Sequence, residues 1–379
     1  MATDNGTDSP VPRERVRAVH EMTLDAPGQE PPFLDLALLE ARARDSLPRA
    51  VFDYYAGGSE TETTMREAPD SWRSWRLRPR VLRGVTAPRL GTELLGSAVG
   101  TPIGVAPWAY QGMAHPDGEL ATARAAVATG ALMTASTSAT HTLEEIVAET
   151  GDSPAWFQLY RLHSTAHTED LARRAGDAGY RALVMTVDVP LLGRRHRDLT
   201  NAFALPEGLR MANHPAAGDE RPDLRDLATA TWTFDDIARF GEVSGLPVVV
   251  KGVLRGDDAV RCVQAGASAV WVSTHGGRQA DPAIASAHAL PEIVDAVGDD
   301  AEVYADGGIR TGSDVLTALA LGARAVFLGR PTAWGLADGG ADGVARVLAG
   351  LTEELAHMMV LCGLEDVRSV PRDSVRAAR

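Results

Sequence analysis

The feature that most constrains this chain is a unit repeated along it: a short apolar, β-branched run, a turn, then an Ala-rich amphipathic stretch. Eight such runs are found after about residue 100: TPIGVAP (101–107), ALMTAS (131–136), AWFQLY (155–160), ALVMTVDVP (182–190), PVVVKG (247–252), AVWVSTHG (269–276), EVYADGG (302–308) and AVFLGR (325–330). Between them lie helical segments such as GELATARAAVATG and GSDVLTALALGA, each ending near the glycine expected just beyond a helix C-terminus. Strands joined by helices run parallel, and eight units are the number that closes a (β/α)8 TIM barrel. The rival is a doubly wound open sheet. That fold should carry a glycine-rich dinucleotide fingerprint after its first strand, and GVAPWAYQG is not one.

The flanks read differently. Residues 1–31 are rich in Pro, Asp, Thr and Gly without an apolar period, which predicts a flexible leader. A barrel domain is expected over 32–370. It opens with one or two helices, where Leu36, Leu38, Leu39, Val51 and Phe52 recur at helical spacing before a Gly pair. Residues 371–379 are expected as a C-terminal tail. One interval breaks the rhythm: 193–230 follows the fourth strand, is polar and Pro-rich, and reads as a long active-site loop.

Charge and composition narrow the function. Lys and Arg total 37 against 51 Asp and Glu, and the net −14 disfavours nucleic acid and anionic membranes. No run is apolar for the length of a bilayer span, and the first residues lack a signal-peptide core, so a cytoplasmic location is expected. Two cysteines cannot make a disulfide framework. Among the histidines at 141, 163, 167, 196, 214 and 288 there is no HExxH motif, so no metal is expected.

In a barrel, chemistry sits at the C-terminal ends of strands. The residues there are Ala106 and Pro107, Ser136, Gln158 and Tyr160, Thr186 and Asp188, Lys251, Ser273 and His275, Asp306 and Gly308, then Gly329 and Arg330. ADGGIRTG, with Gly308 and Arg310, and LGRP, with Gly329 and Arg330, lie on the last two strands, the usual barrel location of a phosphate site. Glycines let backbone N–H groups approach a phosphate, and arginine adds bidentate bonds. Two tight turns with solvated arginines are the alternative. Lys251 is the only lysine in the chain and ends the apolar run PVVVKG; buried there it must meet an anion or serve a function, unless it snorkels to the surface. His275 lies three residues before Arg278, an arrangement that suits a base beside a carboxylate fork, with Asp188 able to orient the imidazole and Arg195 adding a second cation. Taken singly, a His beside Gly-Gly is an ordinary turn residue.

FDYYAGG, the APxA segment, FQLY, TVDVPLLGRR, KGV, STHGGRQAD, ADGGIRTGSDVLTALALGA and the GRP turn occur in this order from about 33 to 370. In these motifs the chain resembles the FMN-dependent 2-hydroxy-acid oxidase and dehydrogenase family, which includes glycolate, lactate and mandelate-type oxidases. The resemblance implies FMN as cofactor, backed by Ala106 and Pro107, with Ser136, Gln158, Thr186, Lys251 and Ser273 near its ring. Asp306, Gly308, Arg310, Gly329 and Arg330 would hold its ribityl phosphate. It further implies that Tyr54, Arg195 and Arg278 bind the substrate carboxylate, with Tyr160 by the reacting hydroxyl. His275 is then the base, Asp188 its carboxylate partner, and Lys251 the stabiliser of charge on reduced FMN.

The implied activity is oxidation of an S (L) 2-hydroxy acid, bulky or aryl as in mandelate, to the 2-oxo acid, with O2 as acceptor and hydrogen peroxide as product. The alternatives are a dehydrogenase with another acceptor and a biosynthetic oxidoreductase acting on a modified hydroxy or amino acid. A homotetramer or larger assembly is also implied. Two departures matter. Thr274 and Ala280 replace the family's Asn and Leu in SNHGGRQLD, which predicts altered hydrogen bonding beside the base. Ser138 lies near where some small-acid oxidases carry a bulky aromatic, which predicts a larger pocket.

Overall fold

The computed structural model describes residues 33–214 and 231–378. The expected leader at 1–31 and the 215–230 part of the long loop lie outside the described residues. Residues 36–378 form one compact unit built on a closed barrel of eight parallel strands: β4 (Ile103–Val105), β5 (Met133–Ser136), β6 (Ala155–Leu159), β7 (Ala182–Thr186), β8 (Val248–Val253), β9 (Ala269–Val272), β10 (Glu302–Asp306) and β11 (Ala325–Leu328). Closure comes from β11 pairing in parallel with β4, Phe327 opposite Gly104. Nearly every barrel position is buried, which explains why the strands read as continuous apolar runs rather than alternating ones.

The barrel interior is aromatic. Trp156, Trp271, Tyr304 and Phe327 fill it, with the Trp271 and Phe327 ring centroids 4.0 Å apart and Trp156 to Tyr304 at 5.2 Å. Such large rings fit because small residues face them. A Cβ on Gly104 would lie 2.6 Å from the Phe327 ring, and Ala182, Ala269 and Ala325 belong to the same cluster. Truncating one of these rings to alanine should cost about 3–5 kcal/mol.

A hairpin, β2 (Thr92–Leu94) and β3 (Ser97–Val99), closes the N-terminal end of the barrel. Leu95 and Gly96 turn it with φ of 47° and 75°, Leu94 and Val99 enter the core, and the Leu95 N–H donates to Glu302 Oε1 of β10 at 3.2 Å. The opposite end is the mouth. Helices Leu36–Ser46 and Arg49–Ala56 precede the barrel as the sequence predicts. A third, Thr63–Arg73, is hidden in the sequence by its internal Pro69 and by Glu62, left-handed at φ 59°. Its N-terminus is capped from a distance: Asp281 accepts from the Thr61, Thr63 and Thr64 N–H groups and from the Thr61 and Thr64 hydroxyls.

The segment expected as a C-terminal tail is ordered into the fold. β12 (Val375–Ala377) pairs antiparallel with β1 (Trp75–Leu77), and Val375 is buried. Its exposed Arg376 and its shortness, with no periodicity to read, concealed this edge strand. Among the described residues no helix is long and apolar enough to cross a membrane, and no group of His, Cys, Asp and Glu is placed to hold a metal ion.

Candidate active site

The mouth is assembled by the loops that follow β4 to β11. Just past β7, Asp188 needs space beside β8, and Gly252 provides it. Gly252 has φ 109° at a register shift between Lys251 and Val253, and a Cβ there would lie 2.6 Å from Asp188 Cβ and Cγ. The freed carboxylate reaches across to β9, where Asp188 Oδ1 stands 3.0 Å from His275 Nδ1. His275 is itself left-handed, at φ 55°, a conformation that non-glycine residues adopt mainly where surrounding contacts enforce it. The enforcement is visible: the His275 N–H donates to Ser273 Oγ at 3.0 Å, and Gln279 Nε2 donates to the Asp188 and Leu191 carbonyls, both at 2.8 Å.

These contacts set the protonation states. Burial lowers the His275 pKa, and the Asp188 charge, which pulls the other way, recovers only part of the shift. Burial alone would raise the Asp188 carboxyl, but His275 and Lys251 more than offset it, so the carboxyl titrates below its ordinary value. The imidazole is therefore neutral near pH 7, with Nδ1–H donated to an ionised Asp188 and Nε2 free to accept. Nε2 is 3.4 Å from the Tyr160 hydroxyl. Burial and the Asp188 and Tyr54 neighbours push the Tyr160 phenol up, so it stays protonated.

Arg195 and Arg278 converge on Tyr54, their guanidinium carbons 5.9 and 4.8 Å from its ring centroid. Arg278 donates to the Tyr54 and Gly57 carbonyls; Arg195 is buried, with Asp198 3.8 Å away. Burial first, then Arg195, lowers the Arg278 pKa. Two guanidiniums over one ring, with Asp198 the acidic neighbour, are an arrangement that suits a small anion.

Lys251 meets its anion inside the protein. Nζ lies 3.1 Å from Asp306 Oδ2 and donates to Ser273 Oγ at 2.8 Å, while Ser273 donates to Asp306 Oδ1 at 2.7 Å. Both Asp306 oxygens are thus engaged with the lysine and the serine. Around this triad polar groups stand unpaired. Gln158 Oε1 accepts from the Ser136 hydroxyl and the Thr137 N–H, but among the described residues its Nε2 has no partner, nor has the Thr186 hydroxyl. The Ala106 N–H is used in the barrel, donating to the Leu328 carbonyl at 2.9 Å, and Pro107 follows it at the rim.

A second cluster of cations is built after β10 and β11. Gly308, at φ 82°, brings its turn against helix Thr63–Arg73, where a Cβ would lie 2.3 Å from the Ala68 carbonyl oxygen. Arg330 donates to the Tyr55, Gly276 and Gly57 carbonyls at 2.8–3.0 Å, using three of its five N–H groups. Burial, then Arg278 and Arg310, lowers the Arg330 pKa, and burial lowers that of Arg310. Among the described residues, apart from its chain neighbours, nothing lies within 4 Å of where a Gly329 Cβ would be, at the cap of helix Arg330–Cys362. Crowded cations beside an open helix N-terminus fit a phosphate, and the unpaired Gln158 and Thr186 groups fit a heterocycle rich in N and O.

A model of the FMN-dependent dehydrogenase family matches residues 43–377. The chain belongs to that family. FMN is its cofactor, and it is an FMN-dependent 2-hydroxy-acid oxidase. It is 46% identical over 352 residues to an L-lactate oxidase from Nostoc sp., covering 89% of this chain and 96% of that one. It is also 46% identical over 351 residues to a 4-hydroxymandelate oxidase from Amycolatopsis orientalis, covering 90% and 97%. A solved mandelate oxidase with (S)-4-hydroxymandelic acid superposes with a TM-score of 0.85 at 44% identity, covering 91% of this chain and 98% of that one.

One expectation for this oxidase changes. Ser138 does not leave a free hollow, because the Tyr110 phenol faces it and the Tyr110 N–H donates to the Ser138 carbonyl at 3.0 Å. Thr274 Oγ1 is buried without a partner among the described residues, in keeping with altered hydrogen bonding here, and the His275 N–H is held by Ser273 Oγ instead. The sequence reading also missed an aromatic wall. Phe203 stacks on Tyr54 at 4.4 Å and 13°, and Tyr110 lies 5.8 Å from Tyr54. An aromatic just past the short helix His196–Thr200 carries no pattern of its own, so only tertiary placement reveals Phe203.

Proposed function

We propose that this oxidase converts an aryl-bearing 2-hydroxy acid of S configuration to the 2-oxo acid and passes the electrons to O2, giving hydrogen peroxide. The observation that carries the reading is the neutral His275, paired through Nδ1 with Asp188, in the same mouth as Arg195 and Arg278. The aryl preference rests on the rings of Tyr54, Tyr110 and Phe203 around those arginines.

In this reading Arg195 and Arg278 bind the carboxylate, with the Tyr54 hydroxyl as a further donor, which orients C2 and its hydroxyl toward the base. His275 Nε2 takes up a proton as C2 is oxidised, and Asp188 stabilises the imidazolium that forms. Tyr160 donates to the substrate oxygen. FMN, when bound, supplies the two-electron acceptor. Ala106, Pro107, Ser136, Gln158, Thr186, Lys251 and Ser273 would hold its ring, and Asp306, Gly308, Arg310, Gly329 and Arg330 its ribityl phosphate. Lys251, at the end of β8, offsets the negative charge that reduction brings.

Anaerobic bleaching of the flavin by a panel of 2-hydroxy acids of increasing side-chain size, followed by readmission of O2 and a peroxide assay, tests substrate class and acceptor together. Bleaching by none of the acids, or reoxidation without peroxide, overturns the corresponding half. Assembly as a homotetramer or larger is part of the same proposal. Val81 and Leu82, both strongly exposed, are side chains such a contact would cover, and light scattering checks it.

A further inference from the structure

Tyr110 binds neither the carboxylate nor the cofactor and is not the base, yet its phenol is surrounded by residues given those roles: Tyr54, Tyr160 and Arg195 are its charged or ionisable neighbours. Its backbone is left-handed, φ 59° and ψ 46°, a genuine outlier for a bulky side chain. Such a conformation persists only where surrounding structure over-determines it, and here the restraints are identifiable. The Tyr55 hydroxyl donates to the Tyr110 carbonyl at 2.7 Å, and the Tyr110 N–H donates to the Ser138 carbonyl at 3.0 Å. The next residue is held by Glu119, whose buried Oε1 accepts from the Gln111 N–H at 3.0 Å.

These restraints drive the ring inward. It is 2% exposed, and its hydroxyl donates to Met211 Sδ at 3.2 Å with Ser138 on the same side. A serine at 138 would otherwise open a hollow beside the carboxylate-binding arginines. The Tyr110 ring fills that hollow, and Met211 closes it from behind. The phenol has no role as an acid, since burial and Tyr54 keep it protonated and its proton is donated to a thioether.

We propose that Tyr110 is the specificity-determining residue of this oxidase: its ring, held over Ser138 and against Met211, sets how long a side chain the 2-hydroxy acid can carry. The proposal rests on the mouth being a 2-hydroxy-acid site. A ring there admits a flat aryl group attached directly to C2 and obstructs one carried on a longer linker. Removing the ring reopens the Ser138 hollow without touching the base, the arginines or the cofactor residues.

The test uses the FMN-loaded enzyme and its Tyr110→Gly and Tyr110→Phe variants. Glycine suits the left-handed backbone and lacks the ring; phenylalanine keeps the ring and loses the Met211 contact. Anaerobic flavin reduction is measured against L-lactate, (S)-mandelate and (S)-3-phenyllactate, giving a limiting rate and a dissociation constant for each. Tyr110→Gly is expected to shift the preference for 3-phenyllactate over mandelate by about tenfold or more, mostly in the dissociation constants, while Tyr110→Phe keeps the parental ranking. A Tyr110→Gly enzyme that retains FMN and is slowed by one common factor on all three acids overturns the proposal. If that variant does not retain FMN, Met211→Ala opens the same hollow from behind; an unchanged ranking there overturns the proposal, and a shift toward 3-phenyllactate supports it. An unmodified enzyme reduced by none of the acids removes the functional reading and this inference with it, whereas an unchanged ranking in a reducible enzyme removes this inference alone.

Discussion

His275 Nδ1 and Asp188 Oδ1 stand 3.0 Å apart, and that contact decides which imidazole nitrogen is free. With the proton on Nδ1 donated to the carboxylate, Nε2 is the acceptor, on the side of the Tyr160 hydroxyl. Asp188→Asn keeps the shape but removes the charge and allows the wrong tautomer. The limiting rate of flavin reduction should fall by about 10²–10⁴-fold, with FMN affinity retained. The pH profile gives a second readout. Burial lowers the His275 pKa from the ordinary value of about 6.5, so activity should hold as pH falls through that value and decline only through the lower one. Because Asp188 favours the imidazolium, its loss should move the acid limb lower still. A limb that moves upward contradicts this account.

Gly252→Ala tests the space that admits Asp188. Both the 109° φ and the 2.6 Å approach to Asp188 Cβ penalise any side chain here. A β-carbon at such a position costs about 1–3 kcal/mol of strain, which can be relieved by pushing Asp188 away from His275. The variant should therefore show a slowed limiting rate and an acid limb displaced in the same direction as in Asp188→Asn. Stopped-flow reduction across pH measures both. A variant that is merely less stable, with a parental pH profile, would show that Gly252 serves β8 alone.

How far the sequence speaks for this structure follows from range. The barrel strands are legible because each is buried on both faces, and the helices because their glycine stops are local. The placing of His275 and Asp188 at the mouth is legible because both follow apolar runs that form barrel strands. What is hidden depends on contacts distant in sequence: Tyr110 points inward because of Tyr55, Ser138 and Glu119, and helix Thr63–Arg73 is capped by Asp281, more than two hundred residues away. Ser138 shows the limit most clearly. Its small side chain correctly marks a hollow, but no local pattern says that Tyr110 fills it.

Lys251 and Asp306 form a buried pair at 3.1 Å with Ser273 between them, so breaking it from one side should be worse than removing both charges. Lys251→Met leaves a buried carboxylate unpaired and should destabilise the protein by about 3–5 kcal/mol. Lys251→Met with Asp306→Leu should recover a large part of that loss, because no unpaired charge remains. Neither variant should reduce its flavin at the parental rate, since the cation is gone from both. Equilibrium denaturation and anaerobic reduction separate the two effects, and a strictly additive double mutant would contradict the coupling.

Glu119 carries a pH-dependent contribution to the wall of the site. Its carboxylate is fully buried and accepts from the Gln111 and Thr140 N–H groups, the Thr140 hydroxyl and His141 Nδ1 at 2.9 Å. The hydrogen bond to Glu119 raises the His141 pKa, partly offset by burial. A histidine whose folded pKa lies above its unfolded value of about 6.5 stabilises the protein fully below that value. The contribution is lost as pH rises through the raised one. Glu119 titrates low because His141 and Thr140 outweigh its burial, so its own share fails only in acid, as pH falls through the lowered pKa. Between these limits both groups are charged. Glu119→Gln should cost about 1–3 kcal/mol and flatten the fall in unfolding midpoint between neutral and mildly alkaline pH. His141→Ala should flatten it equally. A parental slope in either variant would place the pH dependence elsewhere in the protein.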